Sequence, residues 1–331
     1  MIYVVNDSDN PFFNHAIEEY ILKNKDEDAF ILWRNRPSIL IGRNQNTLTE
    51  IDDDYVRREK IDVVRRLSGG GTVFNDLGNI NFTFITKKAQ DGTTLSNGFK
   101  KFALPVIKAL ESLGVDAVFT GRNDITIDGK KFSGNAQFHY KDKTLHHGTL
   151  LFSGNLERLA KALKSKPLKL QDKGVKSVRS RVTNISEHLD VPMDVLEFKE
   201  YLKKYIMDFH NITKEYVLSE KEMTDTLKIQ KERFESWEWN YGKSPGYNYS
   251  NAKKFPWGTI ELIMNIKNGI IEELRIYGDF FGEKSVKELE NSIIGKKYNN
   301  SELLEELIRM NVDEYIKGAS ATEIVSVIGG E

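Results

Sequence analysis

The chain has 331 residues, 48 basic against 49 acidic side chains, and no cysteine. Without thiols it has no disulfide, no thiolate metal centre and no cysteine nucleophile, and a formal net charge of -1 gives no field to gather nucleic acid or an acidic membrane. The length allows two domains, and 39% hydrophobic with 29% charged residues suits a soluble globular protein.

The start, Met1–Asp7, lacks a basic region and an apolar core, and no run approaches a spanning helix, so a cytoplasmic protein without a secretory signal is expected. Residues 2–5 read as a short strand. Asn10-Pro11 opens a helix, proline being suited to the first helical position, with Phe13, Ile17, Tyr20 and Ile21 on one face. Phe30–Trp33 and Ser38–Gly42 read as apolar strands broken at Pro37. Thr47-Leu48-Thr49-Glu50 has capping-box spacing and predicts one helix to about Lys60. Asp52, Asp53 and Asp54 fall in its first turns, where acids favour the helix dipole; such a run is more often a solvated face than a metal site.

The segment Val63–Asn79 is chemically loaded. Three consecutive glycines, Gly69 to Gly71, weaken any helix or strand, so a chain keeps them where backbone must come close to something or take a positive φ. With Arg65 and Arg66 just before, an anion is a candidate. Exposed N–H groups of a glycine turn form a donor nest for phosphate, and a guanidinium can fork onto the same group. A plain glycine hairpin beside surface arginines is the alternative.

Ile80, Phe82 and Phe84 alternate with Asn81 and Thr83, which predicts a strand with one buried face. Phe99–Leu113 reads as a helix stopped by Gly114, with Pro105 as a kink or early break. Val115–Phe119, Asp124–Asp128, Lys131–Tyr140 and Leu145–Phe152 read as successive strands. Asp128-Gly129 is a tight-hairpin signal, with Lys131 in the return strand and Lys130 alternating to the other face. Asn155–Leu163, Asp194–Met207 and Glu220–Phe234 read as helices, and Gln171–Arg181, basic without an apolar face, as a loop.

Tyr241–Gly258 reads as a linker. Beyond it Ile260, Leu262, Met264 and Ile266 form one strand face and residues 270–276 the next strand. A two-residue Asn268-Gly269 turn would pair Met264 with Glu273 and set the apolar rows on opposite faces, so a three-residue Lys267–Gly269 loop is preferred. Three short helices complete this part. The expected fold is α+β: mixed, largely antiparallel sheets flanked by helices, with a small α+β C-terminal domain. The expected division is a catalytic domain at 1–243, a linker at 244–258 and an accessory domain at 259–331. Gly242-Lys243-Ser244 resembles the end of a Walker loop but has Trp237 where the first glycine should stand, and no zincin helix, nucleophile elbow or dinucleotide fingerprint is present.

Together the motifs resemble the lipoate–protein ligase family. The pattern Arg-Arg-x-Ser-Gly-Gly-Gly-x-Val-x-(His)-Asp-x-Gly-Asn is met at 65–79, with Asn75 where the family usually has His. Arg-Asn-Asp and then Asp-Gly-x-Lys-x-Ser-Gly-Asn-Ala is met at 122–136. Trp33-Arg34, residues 41–46, 146–150, 176–184, 237–245 and 276–282 extend the resemblance over nearly the whole chain.

The resemblance implies a biotin/lipoate ligase-like catalytic domain that uses ATP and Mg²⁺ to join lipoate to a lysine of a lipoyl domain through lipoyl-AMP. Bringing two anions together is the difficulty of the first step, and fixed positive charge and N–H dipoles are the remedy. By the same resemblance Lys131 is the catalytic residue, between the lipoate carboxylate and the α-phosphate. Arg66, Gly71, Thr72, Val73, Phe74 and Lys131 would bind ATP. Arg66, Ser68, Gly70, Asn75, Lys131, Ser133 and His147 would bind lipoate, and Asp124, with Asn123 beside it, would meet the metal. Expected partners are lipoyl domains of 2-oxoacid dehydrogenase acyltransferase subunits and the glycine cleavage H protein, with no nucleic acid and no membrane. Two alternatives stand beside it: a lipoyl or octanoyl transferase that uses a preformed adenylate without a cysteine acyl-enzyme, and a non-catalytic binder of lipoyl-AMP or lipoyl domains.

Overall fold

The structure, a computed structural model, describes residues 1–88, 95–163, 181–242 and 249–328. Nearly all of the basic loop at 171–181 and the Lys243-Ser244 pair of the Walker-like triplet lie outside those residues. The chain divides into two compact units: Met1–Leu40, Ile51–Arg65 and Val73–Asn240 form the first, and Ile41–Glu50, Arg66–Thr72 and Tyr241–Glu331 the second. Among the described residues no helix is long and apolar enough to cross a membrane.

The strands of the first unit, in chain order, are β1 (Ile2–Val4), β2 (Ala29–Trp33), β3 (Ser38–Ile41), β4 (Asp62–Arg65), β5 (Val73–Asn75), β6 (Asn79–Lys87), β7 (Ala117–Thr120), β8 (Asp124–Ile127), β9 (Lys130–Tyr140), β10 (Lys143–Leu151) and β11 (Glu215–Tyr216). Eight of them form one sheet in the order β11-β1-β2-β6-β10-β9-β8-β7, and β4-β3-β5 form a small second sheet. β1 runs parallel to β2 and β11; the pairs from β2 to β7 are antiparallel. One face of the large sheet carries the core: Phe30, Leu32, Ile80, Phe82, Phe84, Ile125 and Leu150 pack with Phe102, Val106, Phe198 and Leu202 from the helices Leu95–Glu111 and Val195–Phe209.

The opposite face meets helix α1 (Pro11–Asn24), whose first turn is capped by the Asn10 side chain. The sequence predicts one apolar stripe on α1. In the structure it is buried almost all round, Asn14, His15, Glu18 and Glu19 included: Asn14 bonds Asn6, Ser8 O, Arg34 O and Asn35, His15 bonds Glu18, and Glu19 pairs with Lys23 and Arg233. Two further expectations need correction. The single helix predicted from Thr47 to Lys60 is two, Thr47–Glu50 and Asp53–Arg58: Ile51 bridges to Leu163, and Asp52 caps the second helix at Tyr55 N. The helix at 220–234 is regular only to Ile229 and ends in a π turn over Gln230–Phe234, with Glu235 N donating to Gln230 O.

In the second unit β12 (Tyr249–Phe255), β13 (Gly258–Lys267) and β14 (Ile270–Gly278) form an antiparallel sheet. Residues 249–255, read as linker from the sequence, are its edge strand. Ile260, Leu262, Met264, Leu274 and Ile276 pack on Leu289, Ile293, Leu303, Leu307 and Ile324 of three helices. The β13–β14 connection is the two-residue Asn268-Gly269 turn, both residues at positive φ, and not the predicted three-residue loop. A bulge beyond Asn265 brings Met264 opposite Leu274, which aligns the apolar rows by another route.

Candidate active site

Paired residues on neighbouring strands share a face. One such row runs across the large sheet from Trp33 through Asn81, Thr149 and Gly134 to Asp124; the next runs from Ile31 through Thr83 and His147 to Ala136. Both lie on the α1 side, because Phe82, Phe84 and Leu150 between them face the core.

Lys131 reaches this face through a bulge. The Asp128-Gly129 hairpin closes as predicted, with both residues at positive φ, but the β8–β9 register shifts between Ile125 and Thr126. The extra residue makes Phe132 and Ser133 break the alternation. Phe132 is core, and Lys131 turns back so that its Nζ lies 3.0 Å from where a Cβ on Gly134 would be. A side chain at 134 would occupy that space. The ammonium pairs with Asp124 Oδ1 at 2.7 Å, with both side chains partly open to solvent. Asn123 and Asn135 lock the strand ends together: Asn123 Nδ2 donates to Asn135 O at 2.6 Å, and Asn135 Nδ2 donates to Asn123 O at 3.1 Å. The two asparagines of the second motif thus hold Asp124 beside the hairpin.

A polar network lines the same face. Thr149 Oγ1 donates to Asn81 Oδ1 at 2.8 Å, and Asn81 Nδ2 donates to Asn75 Oδ1 at 2.9 Å. Asn75 Oδ1 also accepts from Asn35 Nδ2 at 3.4 Å. Position 75 therefore works here as a neutral acceptor, which a cationic imidazole could not be. Asn75→Leu is expected to strand the Asn81 amide and cost about 1–3 kcal/mol of stability, read by urea unfolding; a loss below the error of that measurement would show that the amide finds another partner.

The paired histidines divide between the two faces. His146 faces the core, with Nε2 donating to Asn135 Oδ1 and Nδ1 accepting from Gln137 Nε2, each at 3.1 Å. Burial, and then the charge of His147, hold it well below the usual histidine range, so it is neutral. His147 faces α1 and bonds Glu18 Oε1 at 2.9 Å. Ser133 pairs with Leu150, is buried, and lies near Asn135 Nδ2, on the core side and not with His147.

The glycine turn belongs to the second unit. Its three glycines have three separate reasons. A Cβ on Gly69 would stand 2.5 Å from Phe280 O, Gly70 has φ 89°, and Gly71 has open space beside it. Arg66 folds into the turn, with Nη2 donating to Gly69 O at 2.8 Å and Gly71 O at 2.7 Å and Nε donating to Ser68 Oγ at 3.1 Å. Its charge sits at the centre of the turn. Gln45 Oε1 accepts from Gly42 N and from Thr72 Oγ1, which ties the end of the turn to residues 42–45. Val73 and Phe74, by contrast, belong to β5 in the first unit and pair with Leu40 and Ile39.

Sequence reasoning missed the structural work of the flanking motif residues. Arg65 is a brace: its N–H donates to Asn240 Oδ1, its Nε donates to Trp239 O, and its O accepts from Trp239 Nε1. Asp76 accepts from Gly78 N and from Asn155 N, which anchors the helix Leu156–Ala162. It also missed Glu18 and His15, whose only signal was their place on a helix read as half-exposed. His15, Glu18 and His147 offer three ligand atoms within 4.8 Å, and the two Nδ1 atoms lie 2.8 and 2.9 Å from the Glu18 oxygens, within hydrogen-bond reach.

Comparison with known proteins gives the family. Residues 10–207 match the family model described as the lipoyl protein ligase A/B catalytic domain, and residues 244–328 match that of the bacterial lipoate protein ligase C-terminus. The lipoate-protein ligase LplJ of Bacillus subtilis is 46% identical over 333 residues, covering 99% of this chain and 100% of its own. The lipoate complex of P. falciparum LipL1 superposes with a TM-score of 0.81 at 27% identity, covering 100% of this chain and 99% of the other. A lipoate-protein ligase A bound with ATP superposes with a TM-score of 0.63 at 26% identity, over 73% of this chain and 98% of that one. The chain belongs to the lipoate–protein ligase family.

Proposed function

We propose that this protein joins lipoate to a lysine of a lipoyl domain at the expense of ATP. The observation that carries this reading is the Lys131 ammonium, delivered by a bulge to the sheet face it shares with His147 and held against Asp124. In the first step a lipoate carboxylate oxygen bonds to the α-phosphorus, and the bond to the pyrophosphate oxygen breaks. Lys131 offsets the repulsion between the two anions, as a compact ammonium can while touching both. Taken by itself, the Gly69–Gly71 turn of the second unit, with Arg66 at its centre, is the proposed nest for phosphate oxygens. In the second step the amine of the lipoyl-domain lysine attacks the acyl carbon, AMP leaves, and the amine loses a proton.

Asp124 fits Mg²⁺, which binds through one or two carboxylates together with substrate phosphates and water. It would hold the ion by its carboxylate, and the ion when bound would neutralise triphosphate charge. His147 and Thr149 would line the path of the acyl tail along the α1 side. Carriers with an exposed lysine on an acidic domain, such as those of 2-oxoacid dehydrogenases and the glycine cleavage H protein, are the expected acceptors. Residues 1–243 are the proposed catalytic domain, and the proposed accessory domain includes the edge strand β12 at Tyr249–Phe255.

The test is purified protein with lipoate, Mg-ATP and an apo lipoyl domain, followed by intact mass. A lipoyl mass gain that requires ATP is expected. A gain only with supplied lipoyl adenylate would replace this reading with adenylate-dependent transfer, and no gain with either would leave a binder.

A further inference from the structure

Behind His147 lies a charged cluster that the chemistry above does not use. The Glu18 carboxylate is 2% exposed, enclosed by α1 on one side and by β6 and β10 on the other. Its Oε1 accepts from His147 Nδ1 at 2.9 Å and from Thr83 Oγ1 at 2.6 Å. Its Oε2 accepts from His15 Nδ1 at 2.8 Å. Trp33 Nε1 donates to Thr83 Oγ1 at 2.9 Å, which aims that hydroxyl at the carboxylate. The His15 ring is gripped in turn. Trp33 meets it edge-on at 5.3 Å, and Phe234 stacks on it at 5.8 Å. Phe234 comes from the π turn, a feature that recurs at functional sites.

Stability does not call for such a cluster, since apolar residues of similar volume often serve a buried site as well as ions do. We propose that His15 and Glu18 are positioning residues for His147: they fix its ring orientation and keep a proton on its Nδ1, and thereby set the affinity for the acyl substrate. This rests on the reading above that the acyl tail lies along the α1 side of the sheet. Burial alone would push the Glu18 carboxyl up; the charge and hydrogen bond of His147, with those of His15, outweigh it and hold it well below the usual carboxylate range. An ionised carboxylate only accepts, so both Nδ1 atoms carry protons. His15 spans the second oxygen, and without it the carboxylate is oriented through Oε1 alone, which His147 shares with Thr83.

The experiment compares the full-length protein with His15→Leu and His15→Asn, whose amide nitrogen falls close to the lost Nδ1. KM for lipoate, KM for ATP and kcat are measured, and ¹⁵N-histidine spectra report the His147 tautomer. His15→Leu is expected to raise KM for lipoate about tenfold, the scale of one charge-assisted hydrogen bond, with KM for ATP unchanged within about twofold. The His147 signal should lose its Nδ1–H signature, and His15→Asn should restore both. An unchanged lipoate KM and spectrum in His15→Leu, or equal impairment in both variants, would overturn the proposal. If His15→Leu fails to fold, Glu18→Gln decides: its amide cannot accept from both rings, so one of them must change tautomer. A wild-type protein without ligation would sink the proposed activity instead, and an unprotonated His147 Nδ1 in its spectrum would still sink this inference.

Discussion

Lys131→Ala is expected to lower lipoate-dependent ATP–pyrophosphate exchange by about 10³-fold or more, at the upper end of what one preorganised donor contributes to a charged transition state. The size follows from where the charge is needed. In the proposed first step a carboxylate must approach a phosphate, and the Lys131 ammonium is the group proposed to touch both. Transfer from supplied lipoyl adenylate should fall far less, by about tenfold, because the anhydride already carries one negative charge fewer. Lys131→Arg should not restore exchange. A planar guanidinium is no point charge, and it spreads its charge over a fork instead of presenting one compact donor to both anions. Equal losses in both half-reactions would show that Lys131 shapes the site without easing the meeting of anions, and a loss below tenfold in exchange would remove it from the chemistry altogether.

The hairpin that carries Lys131 was legible because Asp128-Gly129 can hardly be anything but a tight turn. Its consequence was not legible. Nothing in Lys131-Phe132-Ser133 announces a bulge, since the register is settled by what β8 and β10 offer on either side. Simple alternation puts Lys131 and Ser133 together; the bulge separates them and sends Ser133 to the core side. The Asn268-Gly269 turn teaches the same lesson from the other direction. There the apolar rows were rightly required to align, but a bulge in β14 does it, not a longer loop. Helix α1 shows a third limit. Periodicity found its apolar residues, but besides their local partners His15 and Lys23, Glu18 and Glu19 are held by Thr83, His147 and Arg233, 65 and more positions away, which no local pattern records. The motif residues were visible as a pattern, while the division of labour within it appeared only in three dimensions. Arg66 centres the glycine turn, whereas Arg65 braces Trp239 and Asn240.

The glycine turn allows a second decisive test, through two alanines with opposite expected signatures. A Cβ on Gly42 would lie 1.9 Å from the carbonyl oxygen of Gly70. The oxygen is backbone and the added Cβ is bonded directly to the backbone of Gly42, so no flexible side chain can absorb the clash and the turn itself must move. Gly42→Ala is therefore expected to cost at least about 1–3 kcal/mol of stability, the range of overpacked interiors, and to weaken ATP-dependent exchange if the N–H groups of the displaced turn bind phosphate as proposed. Gly71 has nothing within 4 Å of its added Cβ. Gly71→Ala should leave stability within about 0.5 kcal/mol, as surface changes usually do. If that open space is where the nucleotide lies, the same methyl group should raise KM for ATP about tenfold, a change of roughly 1.4 kcal/mol, while KM for lipoate stays put. Urea unfolding and initial rates at varied ATP separate the two effects. A Gly71→Ala protein with unaltered stability and unaltered KM for ATP would mean that the space beside the turn holds no nucleotide, and the three glycines would then be explained by packing alone.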